Sequence, residues 1–453
     1  MEGIISGLNQ RDTERIRGYK ELLDFYHGVH WAGREKWGEK RLTFNYARVF
    51  IDKITSYLMS GVSVVVEPGG DSAESAASAR RAEAALHRVY EDNNLEQLDL
   101  ETEVDCAILG DACYKVIWDA QARQVRVTAP DVQGIHAWWL GDDTSRVWRV
   151  ASKYHLTQEE AEMLYQVKPK AKTAAIVELW TDSEFELYLD NTLLEKKPNP
   201  YGFIPFVIYP NLREPKKFWG TSDLPQIMES QRELNRAMSQ LSHILELSGN
   251  PIAVLENVEE AQDIAIKPGA VWTVPEDAKA YLLDLLQGGG VGLHIDYINL
   301  LYRTLHDISE SPRSAFGGTE RDLSGVALEM ELQPLLQKVR RKRIIRTAAY
   351  CRRNMLILKL LEKYQAASFG DYHLRVVWGP VLPQDMTRVV ANEQAMIQAG
   401  VHSRRRAMDE IGVRDPESEF NRWLEERQTI LRMNKELDAR SRARERGTGG
   451  VEE

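Results

Sequence analysis

The chain lacks a run of about eighteen uncharged apolar residues, so no membrane-spanning helix is expected. Its opening, MEGIISGLNQRDTER, has no basic segment leading into an apolar core, so no secretory signal is expected there. Cysteine is scarce. Cys106, Cys113 and Cys351 make no CxxC pair and no zinc spacing, which points to inert thiols in a reducing compartment. The phosphate-cradling GxxxxGK[ST] is missing, as are a GxSxG nucleophile elbow and a GxGxxG after a strand. His27 and His30 stand three apart with no further ligand at a useful offset, so a packed or surface pair is expected. His294, Asp296, His306 and Asp307 fall in or beside one helical stretch. A two-metal nuclease needs several converging carboxylates, and nothing marks them here. No catalytic residue, metal or cofactor is assigned. Positive charge is also in deficit: 58 Lys and Arg face 68 Asp and Glu, a net charge of -10. That argues against general affinity for nucleic acid, although charge can be segregated along a chain.

The 453 residues suffice for more than one core. Helical spacing is plain in DTERIRGYKELLDFYHG and NYARVFIDKITSYLMSG, with Gly61 as a stop for the second. VSVVVEPGG reads as a strand and DSAESAASARRAEAALHRVYEDNNL as an Ala-rich helix. From about 104 to 210 the pattern turns to strands. ACYKVIWD and QVRVTAPD make a hairpin turning near Asp119 to Arg123, and TAAIVELWTDSEFELYLDNTLLEKK makes another pair. GFIPFVIYPN carries Pro205 and reads as an edge strand.

A helix is expected from Ser222 or Asp223, with Pro225 in its first turn. Strand-like segments follow, and GGG at 288–290 reads as a joint. HIDYINLLYRTLHDIS is helical, with Ile295, Ile298, Leu301, Leu305 and Ile308 on one side. A long helix should begin at Ser324, kink at Pro334 and reach Tyr364, roughly 60 Å at about 1.5 Å per residue. The strand YHLRVVW and helices from Gln384, Ser403 and Pro416 complete the chain, and ARSRARERGTGGVEE reads as a disordered tail.

The long helix is crowded with cations: Lys338, Arg340, Arg341, Lys342, Arg343, Arg346, Arg352, Arg353 and Lys359, with no Asp or Glu among them. Isolated helices usually mix signs, so these unbalanced charges call for an external counter-charge. DNA phosphate and an acidic neighbouring subunit are both open, as is a plain solvated face. The loop before the helix offers Pro312, Arg313, Ser314, Phe316, Gly317, Gly318, Thr319, Glu320 and Arg321. Arg, Thr and backbone N–H groups can touch phosphates without reading bases, though an ordinary flexible loop has the same composition.

The order of these elements resembles the portal proteins of tailed bacteriophages, the ring-shaped head-to-tail connectors, of the long-tailed type. YKELLDFYHGVH followed by NYARVFIDKITSYLMSGVSVVVEP is similar to the family's opening. GTSDLPQIMESQRELNRAMSQL resembles its G-x-S-D-L helix, SPRSAFGG…SGVALEMELQPL its loop and helix start, and GVHSRRRAMDEIGVRDPESEFNRWLEE its closing pattern.

The resemblance implies an α+β, mainly helical subunit without catalytic activity, assembled as a ring of about twelve. Residues 1–222 would be the wing, 223–249 and 292–310 the stem helices, and 250–291 the clip. Residues 311–323 would be a tunnel loop projecting into a DNA channel, 324–383 the long kinked wing helix and its return strand, and 384–453 the crown and tail. Implied partners are double-stranded DNA, the large terminase subunit, a head-completion adaptor, and the major capsid and scaffold proteins, with no membrane. The implied location is the portal vertex of the virion, after assembly in the host cytoplasm. Lys267, Pro268 and Trp272 would lie in the clip, where terminase and adaptor dock. Twelve subunits would carry 12 × -10, or -120, formal charges, a channel wall that lets DNA slide. A metal-dependent DNA-processing enzyme and a protein-binding helical scaffold are the rival expectations.

Overall fold

In the computed structural model, residues 4–34, 39–249, 252–256, 279–283, 290–318, 325–365, 367–382, 386–413 and 416–448 are described. They fall into two units, Met1–Trp378 and Gly379–Glu453. The first begins with helices α1 (Ile4–Arg11), α2 (Thr13–Tyr26) and α3 (Tyr46–Leu58). Asn45 caps α3 by accepting from the Arg48 amide, and Ala47, Phe50, Ile51, Ile54 and Leu58 bury one side of it. Strand β1 (Val62–Pro68) and helices α4 (Ala73–Asp92) and α5 (Leu95–Leu109) follow.

Helix α5 falls partly inside the region read as strands and was not anticipated. Its buried positions include Asp99, Thr102 and Glu103, so polarity does not mark its inner face. Gly110 ends it at φ 92°, and a Cβ there would lie 2.8 Å from the Ser222 amide nitrogen.

Strands β2 (Asp111–Asp119) and β3 (Gln124–Thr128) form the expected hairpin. Asp119 Oδ1 accepts from the Gln121 and Ala122 amides at 2.9 and 3.0 Å, and Arg123 closes the turn at φ 53°. Strands β4 (Ile135–Leu140) and β5 (Asp143–Thr157) and helix α6 (Gln158–Tyr165) carried no clear sequence signal. The second expected pair is three strands, β6 (Thr173–Thr181), β7 (Glu184–Leu189) and β8 (Thr192–Pro198). These five strands make one antiparallel sheet in the order β4-β5-β6-β7-β8. Strand β9 (Phe206–Pro210) pairs only with β2, at the edge of the sheet β3-β2-β9, as Pro205 beside it suggested.

Helix α7 (Pro225–Gly249), the hairpin β10 (Ile252–Glu256) with β11 (Lys279–Leu283), and helix α8 (Gly290–Ile308) follow. Of the five apolar positions expected on one side of α8, Leu305 is fully buried, while Ile295 is 45% exposed. The long helix is divided: α9 (Gly325–Glu331) and α10 (Gln333–Gln365) meet at Leu332. Pro334 sits in the first turn of α10. It lacks the N–H that would bond back to Met330, which places the break here.

Strand β12 (Tyr372–Trp378) returns antiparallel to β1, with Val62 opposite Trp378 and Pro68 opposite Tyr372. The main core gathers α4, α5, β1, β2, β9, α10 and β12, with Tyr114, Tyr209 and Tyr350 at its centre. The second unit holds α11 (Met386–Gln398), α12 (Arg404–Glu410) and α13 (Pro416–Thr448). Ser403 caps α12, and Gly400 and Gly412 turn with positive φ. The segment read as a disordered tail is helical to Thr448, consistent with its content of Ala, Arg and Glu.

Candidate functional site

The cations of α10 divide by helical phase. Lys338, Lys342 and Arg346 recur every fourth residue and point inward, and Arg353 extends the same face. Their relative exposures are 1, 0, 0 and 0%, so the expectation of an external counter-charge fails for these four. The counter-charges come from their own chain, from residues far away in sequence. Asp223, beside the start of α7, pairs with Lys338 at 3.1 Å and with Lys342. Glu103 on α5 accepts from Arg346 Nε at 2.8 Å. Asp99, one turn earlier on α5, forms a two-pronged pair with Arg353.

Four cations face three carboxylates, and main-chain oxygens take up the excess. Lys338 donates to Ser309 O at 3.0 Å, and Arg346 donates to Asn211 O at 2.6 Å. Tyr209 and Tyr350 donate to Glu103, and Tyr114 donates to Asp99. Burial opposes ionisation of Asp223, but the Lys342 and Lys338 charges outweigh it and hold the carboxyl well below its usual range. Burial dominates at Lys342 and lowers its ammonium, although Asp223 pulls the other way. Arg343, half-buried, donates to Leu58 O and Ser60 O at 3.1 Å each, and burial brings it down to about 10. Arg341 pairs with Glu310. Arg340, Arg352 and Lys359 lie on the exposed side and have no ion pair among the described residues.

The loop residues fall on both sides of the described boundary. Pro312 leads into a single 3₁₀ turn, Arg313–Phe316. Arg313 lies over the Tyr302 ring, and the Ser314 hydroxyl is buried. Phe316 turns into the subunit, 5.1 Å from the Phe50 ring and 5.3 Å from His306. Tyr57 donates to Ala315 O at 3.1 Å, and His306 Nδ1 lies 2.6 Å from Ser311 O. Gly317 takes φ 86°, and a Cβ on Gly318 would strike Arg313 at 2.8 Å. This part of the loop is therefore anchored. Thr319, Glu320 and Arg321 lie outside the described residues, as do Lys267, Pro268 and Trp272.

Helix α7 carries a buried polar ladder. Gln231, Asn235 and Ser239, four residues apart on α7, are buried and grip an extended strap. Phe44 N donates to Asn235 at 3.0 Å, Gln231 donates to Phe44 O at 2.7 Å, and Leu42 N donates to Ser239 at 3.0 Å. Asn235 also meets His30 at 2.8 Å, which explains that histidine as a packed residue. Sequence reasoning missed this ladder and the carboxylates at 99, 103 and 223. Four-residue spacing on both α5 and α10 was the available signal.

Leu293 and Leu300 on α8 stay 72 and 59% exposed. No described helix is long and apolar enough to cross a membrane. Among the described residues, no group of three or more His, Cys, Asp or Glu could hold a metal ion.

The family model for phage portal protein, SPP1 Gp6-like, matches residues 6–432. The chain belongs to the phage portal protein family. The match runs from α1 into α13 and so takes in both units of this portal protein. The family is a structural one, of head-to-tail connectors that serve DNA packaging. No curated protein matches the chain.

Proposed function

We propose that the protein forms a ring, of about twelve copies, at one vertex of a phage capsid, and that double-stranded DNA passes through it during packaging and ejection. The reading rests on the family match over residues 6–432. The bare leucines of α8 support it, since a subunit that worked alone would gain nothing by leaving them in water.

In this reading residues 1–222 form the wing, the paired helices α7 and α8 the stem, and residues 250–291 the clip. The loop at 311–323 lines the channel, and residues 384–453 form the crown. Lys267, Pro268 and Trp272 belong to the clip surface where the large terminase subunit docks and a head-completion adaptor later replaces it. Capsid and scaffold proteins surround the ring, which assembles in the host cytoplasm and ends in the virion.

The test is particle mass by mass photometry, with negative-stain images of the same sample. Twelve copies of a 51.8-kDa chain, 12 × 51.8, weigh about 622 kDa, and the particle should show a central hole. A monomer that cleaves plasmid DNA with Mg²⁺ would overturn the proposal.

A further inference from the structure

Helices α5 and α10 meet through their charged inner faces, with Glu103 against Arg346 and Asp99 against Arg353. Each helix therefore turns its other face away from that contact, toward a different side of the subunit. The outer face of α10 carries Arg340, Ile344, Arg352, Met355 and Lys359 over about 28 Å, at about 1.5 Å per residue. Ile344 is 67% exposed and Met355 36%, and the three cations have no ion pair among the described residues. The outer face of α5 carries Leu100, Glu101 and Asp105, with Leu100 44% exposed. Glu101 accepts from Gln97, and neither Glu101 nor Asp105 has an ion pair among the described residues.

The two outer faces answer each other: cation, apolar side chain, cation on one, and a leucine beside two carboxylates on the other. A head-to-tail ring needs this arrangement, with unlike and complementary patches on different sides of the same subunit. Resting on the ring reading above, we propose that the outer face of α10 docks on the outer face of α5 of the next copy. The intermolecular contact would then repeat, between subunits, the cation–carboxylate pairing already made within each one. DNA is the weaker occupant of the α10 face, because phosphate offers nothing to Ile344 and Met355, whereas Leu100 does.

The experiment is reciprocal charge reversal, read as the fraction of protein in rings. Arg340→Glu with Arg352→Glu, and separately Glu101→Lys with Asp105→Lys, should each lower that fraction by about tenfold or more, since each sets like charges face to face. All four changes in one chain should restore it. An equimolar mixture of the two reversed chains should also form rings, because each finds its opposite charge only on the other.

Reversed chains that assemble as well as the wild type would overturn the contact and leave the ring standing. Intact rings of the Arg340→Glu, Arg352→Glu chain that no longer retain DNA would assign the stripe to DNA instead. If the wild type forms no ring, the ring reading falls by itself. The contact is then judged by a short bismaleimide on Leu100→Cys, Ile344→Cys in a Cys351→Ser background. Cross-linked multimers support it, and a purely monomeric product overturns it.

Discussion

Asp223 answers two buried ammonium groups at once, so its charge cannot be removed without stranding both. Asp223→Asn should destabilise the folded subunit by about 3–5 kcal/mol, the usual cost of breaking a buried pair from one side. Adding Lys342→Met should recover part of that loss, because one stranded cation then disappears. Urea denaturation of the three chains checks both statements, and an unchanged midpoint for Asp223→Asn would contradict them. Asp111 behaves in the opposite sense. It is fully buried, accepts from Tyr19 at 2.7 Å and from the Gly220 amide at 2.8 Å, and burial raises its carboxyl to about 6. Between the ordinary carboxylate value and 6 the folded state holds a proton that the unfolded chain has released. Its contribution to stability is therefore present at low pH and lost as pH rises through about 4 to 6, on the order of 3 kcal/mol. The difference between wild type and Asp111→Asn at pH 4.5 and 6.5 isolates this effect. The comparison matters because burial holds His30 and His306 below their usual range, and those rings move stability the other way.

At the scale of elements, the break between α9 and α10 belongs to Pro334. A proline in the first turn of a helix is tolerated, so Pro334→Ala should leave stability within about 1 kcal/mol. It should also add one exchange-protected amide at position 334, readable by hydrogen exchange, and a loss of several kcal/mol would argue against this. The break was legible in the sequence because proline acts locally. So was the β2–β3 hairpin, whose Asp119 turn and alternating strands are written in consecutive residues. Helix α5 was not, because a periodicity read by polarity places Asp99 and Glu103 in solvent, and their partners stand more than 240 residues away. The same separation disguised the cations of α10: read alone, the helix called for outside partners, and all four cations of its inner face had them at home. The order of elements, carried by four scattered motifs, pointed to the family more clearly than any one residue pointed to a site.

At the scale of the whole molecule, two surfaces fit the proposed ring: the bare leucines of α8 and the cations outside α10 that have no ion pair among the described residues. Charge is organised on the same plan at both levels. Inside the subunit the cations of α10 are met by three carboxylates and by main-chain oxygens, sealed from water. Outside, Arg340, Arg352 and Lys359 have no ion pair among the described residues, and in the proposed ring they would give direction to assembly.

The pairing of β1 with β12 has a consequence in time. Residues 62–68 wait for residues 372–378, and the carboxylates at 99, 103 and 223 wait for cations that follow residue 337. While the ribosome is still working, the first two-thirds of the chain carry acidic groups that want neutralising and, in β1, a strand without its neighbour. The core closes only near the end of synthesis, so a message cut short yields a chain that cannot pass for a subunit. In the proposed ring, late closure would keep incomplete copies out.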